Sequence, residues 1–600
     1  MGHLRAGEGN VGLRGAEARA GRAQGRIGAA LRRLRFDGFT STTSGGDALH
    51  AAPGSPWVRA VLFLGAAVLL LARLDGTGLW APDEPRYGHV AETVRSMEFG
   101  PSGLVLLHLN GEPYTQKPPL YYWLAAAAGA PFGRVTEVAA RLPSALAGIA
   151  LIGLTLVFGS RLLGGATATL GAALLLTTFE FADNARRAQL DVLLALFETL
   201  ALAAFWHIDR GIGRRWLAQL VLHASFGLAV LTKGPVGILV PLLVMACFLA
   251  WEGRLRQLRR AFPWWGLLLS FGPGLAWIAS AIALAPAGFF GDAVVTNLFG
   301  RFFAGSSHAR PFYYYLYQFP AESLPWFLLA PVVWWAARSG VFVANGSDED
   351  RRVWRFLLAW IAATLVFFTL STGKRGLYLV PLLPAVALLL ADALGRWVEA
   401  AHRIPVAFHA ATGVIGAAAV GGGVWVALRN PLRDETASLV AGAAIAVIVA
   451  ATVIAQLTLW RVRARLRLRL AMPIVAVWAF LLVLFTVVYP ALDPGKSPRL
   501  IAEAAAALTP EGGSIGLVGN VQMAGGLVYY GYRHVEALDD AASIERFLAA
   551  GGRAIVVEEK KRERVDAVTP VDVQFRAREG SRAVLVVTPR SADREPAGAL

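Results

Sequence analysis

Apolar residues along this chain gather in long unbroken runs, not in strict alternation or in one-sided helical stripes. A helix needs about 20 consecutive apolar residues to cross roughly 30 Å of hydrocarbon. Runs of this kind lie near 58–74, 139–159, 164–181, 190–208, 216–232, 235–251, 265–285, 323–339, 353–370, 377–394, 406–427, 437–459 and 470–490. The pattern predicts an α-helical polytopic membrane protein with about thirteen transmembrane helices over residues 56–490. Three stretches depart from it. Residues 1–55 are rich in Arg, Gly and Ala with no apolar period, and read as a disordered basic arm. Residues 75–135 form a long first loop, in which "DEPRYGHVAETVRSM" predicts a helix lying on the membrane surface. From about 491 onward the chain turns charged, with β-rich runs "SIGLVG", "LVYYG", "AIVVEE" and "AVLVV". Helical patterns at "SPRLIAEAAAAL" and "AASIERFLAAG" separate these runs, so residues 491–600 predict a small α/β domain.

Composition agrees with the pattern. Only 16% of the 600 residues are charged and the mean hydropathy is +0.51; a soluble domain is nearer a quarter charged, which excludes that class. The net charge of +16 suggests nucleic acid at first sight. The arginines, however, fall in short clusters between apolar runs, as cytoplasmic loops do under the positive-inside rule. If the basic arm is cytoplasmic, alternate loops should be basic. They are, at Arg210, Arg214 and Arg215, at Arg254, Arg256, Arg259 and Arg260, and in "RVRARLRLR" at 461–469. This parity places the protein in the cell (inner) membrane with 75–135, 286–322 and the α/β domain on the extracytoplasmic side. The first apolar run starts near Val58 and lacks a small-residue cleavage site, so no cleavable signal peptide is expected. A passive tail or a misassigned start accounts for the arm better than binding to anionic lipid headgroups does. The single Cys247 excludes an internal disulfide and a cysteine-based metal site.

Polar chemistry concentrates on the far side. Asp83 and Glu84 stand where the first span ends; either is a candidate base, and a solvated helix start would place acids there too. Lys117, in "NGEPYTQKPPLYYW", is held by two prolines among aromatics and suits a phosphate oxyanion or an interfacial anchor. Asp191 opens an apolar helix, Lys233 sits at an outer turn, and "STGKRGLYLVP" adds Lys374, Arg375 and Tyr378. Arg86, Tyr87, Tyr114 and Tyr121 supply a candidate substrate groove beside them. Basic residues next to acids at a membrane surface suit a lipid-phosphate substrate: the cations hold a phosphate leaving group and an acid activates an incoming hydroxyl. No Walker or dinucleotide motif supports a nucleotide-driven reaction.

These segments, in order, carry a resemblance. "DEPRYGHVAETV", "LNGEPYTQKPPLYYWLAA", "RLPSALAG", "LDVLLALF", "LTKGPVGILVPLL", "HARPFYYY" and "GKRGLYLVPLLPAVALL" resemble the membrane glycosyltransferases related to protein O-mannosyltransferases, and most of all their lipid A aminoarabinose transferase branch. The likeness covers 58 to about 395. It implies a C-type glycosyltransferase fold and inverting transfer of a sugar from a polyprenyl-phosphate carrier to an envelope lipid, glycan or protein on the extracytoplasmic face. It also implies catalysis at Asp83, a donor-phosphate contact at Lys117, and polar positions of the same cavity at Asp191, Lys233 and Tyr378. The lipid A branch binds a divalent metal through a glutamate just before that lysine and a later-loop histidine. Here those positions are Gln116 and His308, and an amide oxygen is a weaker ligand. No cofactor is therefore required, although a divalent metal stays open. The rival reading, a transporter or flippase of polyprenyl-linked glycans, wants charges near the bilayer midplane and repeated halves, and neither is present in the sequence.

Overall fold

The computed structural model describes residues 55–286, 309–338, 347–401, 466–579 and 582–590, together with isolated positions between them. The basic arm and the runs expected to span at 406–427 and 437–459 lie outside the described residues, apart from single positions. The apolar runs are helical: α1 (Pro56–Leu71), α4 (Glu137–Leu163), α7 (Asp191–Arg210), α8 (Arg215–Lys233), α9 (Val236–Trp251), α10 (Trp264–Leu284), α13 (Asp348–Leu370), α14 (Leu383–Ala401) and α15 (Leu466–Val483). Between α1 and α4 lie α2 (Asp83–Ser96), a hairpin of β1 (His108–Leu109) and β2 (Glu112–Pro113), and α3 (Leu120–Gly129). Among the described residues seven helices are long and apolar enough to cross a membrane, or eight if one bent pair is a single span.

That pair corrects one expected span. The run at 164–181 is two helices, α5 (Gly165–Leu176) and α6 (Phe179–Arg186), meeting at 64°. At the break the Thr177 and Thr178 hydroxyls donate to carbonyls of the preceding turn, Ala173 O and Leu174 O. The run at 323–339 is likewise interrupted, a 3₁₀ turn at Trp326–Leu329 leading into α12 (Ala330–Arg338) after α11 (Tyr314–Glu322). Small residues set the close crossing of α8 and α10. A Cβ on Gly227 would lie 2.4 Å from Leu269 O, and one on Gly274 2.5 Å from Val230.

The C-terminal part holds a five-stranded sheet of β3 (Ile515–Val518), β4 (Val535–Ala537), β5 (Ile555–Glu558), β6 (Val571–Glu579) and β7 (Arg582–Pro589), in the order β4-β3-β5-β7-β6. Strands β4, β3 and β5 are parallel, while β7 is antiparallel to β5 and to β6. Both faces are covered, which explains why the strands read as continuous apolar runs. Leu517, Val556, Val584 and Val586 join the core shared with the membrane part. Val518, Ile555, Val557, Leu585 and Val587 face a second core with Ile544 and Phe547 of helix α18 (Ala541–Ala549).

The expected strand "LVYYG" is a helix, α17 (Ala524–Gly531), which follows α16 (Arg499–Ala507). Leu527, Val528, Tyr529 and Tyr530 are all buried, so α17 has no polar face and its run looks like a strand from sequence. It lies against α2, so the helix expected at the membrane surface is covered on this side by the α/β part. Asp83, Tyr87, Gly88, Val90, Ala91 and Val94 are buried, and a Cβ on Gly88 would come within 2.9 Å of the Tyr529 ring.

Candidate functional site

Two turns of backbone deliver the first charges. Helix α2 begins at Asp83, whose carboxylate takes an ion pair from Arg86 one turn along and a second from Arg375, 2.9 Å away. Burial pushes the Asp83 carboxyl up, but Arg375 and Arg86 outweigh it and hold the group below the usual carboxylate range. Helix α7 begins at Asp191, where the helix N-terminus favours a negative charge. Lys233, at the C-terminal end of α8, pairs with Asp191 at 2.5 Å and lies 4.3 Å from the centre of the Tyr378 ring.

These groups converge on one cavity of about 410 Å³. Its walls include Asp83, Arg86, Tyr87, Gln116, Lys117, Asp191, Lys233, Arg375 and Tyr378. Four cations face two carboxylates, which leaves the cavity with two positive charges in excess. The hairpin turn at Asn110, in the left-handed conformation at φ 56°, completes one side, and an Asn-Gly dipeptide in the sequence is a recognisable signal for it. Gln189, Leu190 and Leu377 are reached only as neighbours of the expected residues. Gln522, Ala524 and Gly525 come from the C-terminal α/β part, and nothing in the sequence marks them.

The remaining expected residues lie apart from the cavity. Glu84 points away from Asp83 into a buried network. Its carboxylate receives Arg141 Nε at 2.9 Å and Nη2 at 3.1 Å, with the backbone N–H groups of Trp80 and Ala188 completing its bonds. Arg141 in turn donates to the carbonyls of Leu74, Thr77 and Gly78, so the pair ties the end of the first span to α4. The niche beside Glu84 holds about 20 Å³, enough for one water. Lys374 is buried and donates to the carbonyls of Ser371 and Arg310, bracing one loop on another. Tyr121 donates to Ala140 O and packs its ring on Tyr87, while Tyr114 accepts from Tyr122, whose own ring packs on Tyr87; Tyr114 and Tyr121 are buried and neither lines the groove.

His308 lies outside the described residues. Gln116 does line the cavity, yet it faces four cations there, and the two carboxylates are already ion-paired. Among the described residues no group of three or more His, Cys, Asp or Glu side chains is arranged to hold a metal ion. Among the described residues the cavity's donor set does not fit a divalent cation.

Comparison with known proteins bears on the family and the fold. A family model described as dolichyl-phosphate-mannose-protein mannosyltransferase matches residues 78–286, which contain Asp83, Lys117, Asp191 and Lys233 but not Arg375 or Gln522. An undecaprenyl phosphate-α-4-amino-4-deoxy-L-arabinose arabinosyl transferase of Pseudomonas fluorescens is 30% identical over 409 residues, 67% of this chain and 67% of its own length. The corresponding transferase of Pseudomonas aeruginosa is 28% identical over 459 residues, covering 73% and 77%. The crystal structure of ArnT from Cupriavidus metallidurans bound to undecaprenyl phosphate has the same fold, with a TM-score of 0.69 at 22% identity over 89% of this chain and 98% of that one.

Proposed function

This chain belongs to the undecaprenyl phosphate-α-4-amino-4-deoxy-L-arabinose arabinosyl transferases, and we propose that its cavity transfers such an amino sugar, with inversion, to an envelope acceptor on the extracytoplasmic face. It is a membrane glycosyltransferase that uses a polyprenyl-phosphate-linked donor. The observation that carries the reading is the excess of two positive charges in a cavity bounded by two paired acids. A sugar phosphodiester brings one negative charge. Breaking its glycosidic C–O bond leaves a phosphate monoester that approaches two, since its second pKa is about 6. Lys117, Arg86 and Arg375 therefore meet a charge that grows towards the transition state, which is the condition for lowering the barrier and not merely tightening binding.

Asp83 is the proposed base. Held low by two guanidiniums it is a weak one, so its role depends on the donor phosphate drawing Arg375 and Arg86 towards itself and returning basicity to the carboxylate as the donor seats. The acceptor oxygen then attacks the sugar carbon opposite the departing phosphate, and its proton passes to Asp83. Asp191 and Lys233 neutralise one another and hold Tyr378 at the cavity edge.

The proposed orientation follows the arginine parity: basic loops cytoplasmic, first loop and α/β domain outside. Counting as spans the seven long helices, the bent pair α5–α6, the shorter α1 and α9, the interrupted run ending in α12 and the two runs beyond the described residues, it gives thirteen. Purified protein in liposomes, supplied with undecaprenyl phosphate-linked aminoarabinose and an envelope extract, should release undecaprenyl phosphate and label an acceptor. Carrier movement across the bilayer without cleavage of the sugar–phosphate bond would make the protein a transporter instead.

A further inference from the structure

The break between α5 and α6 brings Glu180, in the first turn of α6, to Glu322 at the end of α11, and the two carboxyls are hydrogen-bonded to each other. Two carboxylates at that range cannot both be ionised, so the pair holds a proton between them. Each has a further partner: Glu180 Oε1 accepts from Asn184 Nδ2 at 2.7 Å, and Glu322 Oε1 accepts from Gln318. The two elements are pinned beside the pair. Phe179 N–H donates to Leu324 O at 3.1 Å, and Trp326 Nε1 donates to Thr177 Oγ1 at 3.0 Å.

Glu322 also touches the backbone that carries Arg375. It is buried, and Gly376 lies so close that a Cβ there would overlap Glu322 Oε1. Tyr315 of α11 donates to Arg375 O at 3.0 Å. Arg375 in turn pairs with Asp83 in the cavity, whose walls include neither glutamate. The other groups around the pair have their own partners or carry no charge. Asp183 of α6 is neutralised by Arg187 at 2.6 Å and accepts from Tyr489. Tyr314 and Tyr315 come from α11, with Arg310 before it, and Lys374 donates to backbone carbonyls. The C-terminal half of α13 is uncharged.

Resting on the transferase reading above, we propose that Glu180 and Glu322 are positioning residues for Arg375, and that the proton they share keeps Arg375 in place at Asp83 and the donor phosphate. Loss of that proton sets two negative charges side by side and forces the carboxyls apart. Glu322 cannot move without moving the Gly376 backbone packed on it, and Arg375 is the adjoining residue. The proton is lost as pH rises, so transfer slows on the alkaline side.

The test is the pH profile of kcat for full-length protein in liposomes, with undecaprenyl phosphate-linked aminoarabinose and an envelope extract. In Glu322→Gln the amide donates to Glu180 and accepts from Gln318, so both bonds stay while the shared proton is gone; Glu180→Gln is the matching variant. Between about pH 6 and pH 9 kcat should fall about tenfold in the wild type and less than about twofold in either variant. Over the same range the wild type should lose a protonated-carboxyl infrared band that Glu322→Gln does not lose. Gly376→Ala, whose methyl displaces Glu322, should lower kcat about 10- to 100-fold at every pH. Parallel pH profiles in the wild type and both glutamine variants overturn the positioning role, and an infrared band that does not titrate overturns the shared proton. Failure of the wild type to release undecaprenyl phosphate at any pH overturns the transferase reading itself, while the infrared band still decides the shared proton, so the two failures are told apart.

Discussion

Two adjacent carboxylates have opposite environments here, and substitution should separate them. Asp83 faces the cavity between two arginines, so Asp83→Asn should lower turnover by about 10²–10⁴-fold while the protein still folds and inserts. Glu84 is locked to buried Arg141. Glu84→Gln should cost about 3–5 kcal/mol of stability, because it leaves a buried charge without its counter-ion. Turnover normalised to folded protein, with thermal unfolding in detergent as the second readout, distinguishes the two; equal loss of turnover in both would return Glu84 to the mechanism. Lys117 is the other residue-scale test. Lys117→Ala should lower turnover as well as donor affinity, since it meets charge that develops as the bond breaks. Lys117→Arg should rescue only in part, because a planar fork does not reproduce a point ammonium. An unchanged rate per folded molecule would leave the leaving group to Arg86 and Arg375.

At the scale of elements, the first loop and the α/β sheet share a clasp. The Asn110 side chain pairs with edge strand β4 in both directions, donating to Val535 O at 2.8 Å and accepting from Val535 N–H at 2.9 Å. His89 of α2 supports it by accepting the Asn110 N–H through Nε2. Burial pushes the His89 imidazole down to about 4, against a smaller opposing pull from Glu92. A folded-state pKa below the free value means the neutral ring stabilises the fold above about pH 6.5, and that this contribution is lost as pH falls towards 4. The slope is about 1.4 kcal/mol per pH unit at most. Between pH 7 and 5 the unfolding midpoint of the wild type should therefore drop more steeply than that of His89→Gln, whose amide oxygen accepts the same bond without titrating. Parallel curves would remove His89 from the clasp.

For the whole molecule the orientation is the test. In a variant lacking Cys247, cysteines placed at Glu98 and Asp539 should react with an impermeant thiol reagent in intact cells, and one at Gln257 should not. Labelling at Gln257 alone would invert the topology and move the cavity to the cytoplasmic side. The C-terminal part is also more than an appendage at this scale. One face of its sheet belongs to the same core as the membrane helices, and α17 packs on the helix that carries Asp83 and Arg86.

What was legible in the sequence follows from local physics. Apolar run length sets where helices can cross a bilayer, so the seven or eight long spans among the described residues, and the polar chemistry between them, could be read directly. Asp83, Lys117, Asp191, Lys233 and Arg375 were found because charge beside hydrocarbon needs a reason, Tyr378 through its place in the same segment as Arg375, and all six line one cavity. What the linear pattern could not carry was direction and partner. Glu84 differs from Asp83 only in the way the start of a helix points it, and Lys374 differs from Arg375 in the side of an extended segment from which it projects. Helix α17 was invisible because burial on every side erases the periodicity that identifies a helix. Gln522 lies more than 400 residues from Asp83 in the chain and carries no charge to announce it. Only the packing of the sheet against α2 brings it to the cavity, and contacts between distant segments are decided by the assembled core, not by any local run.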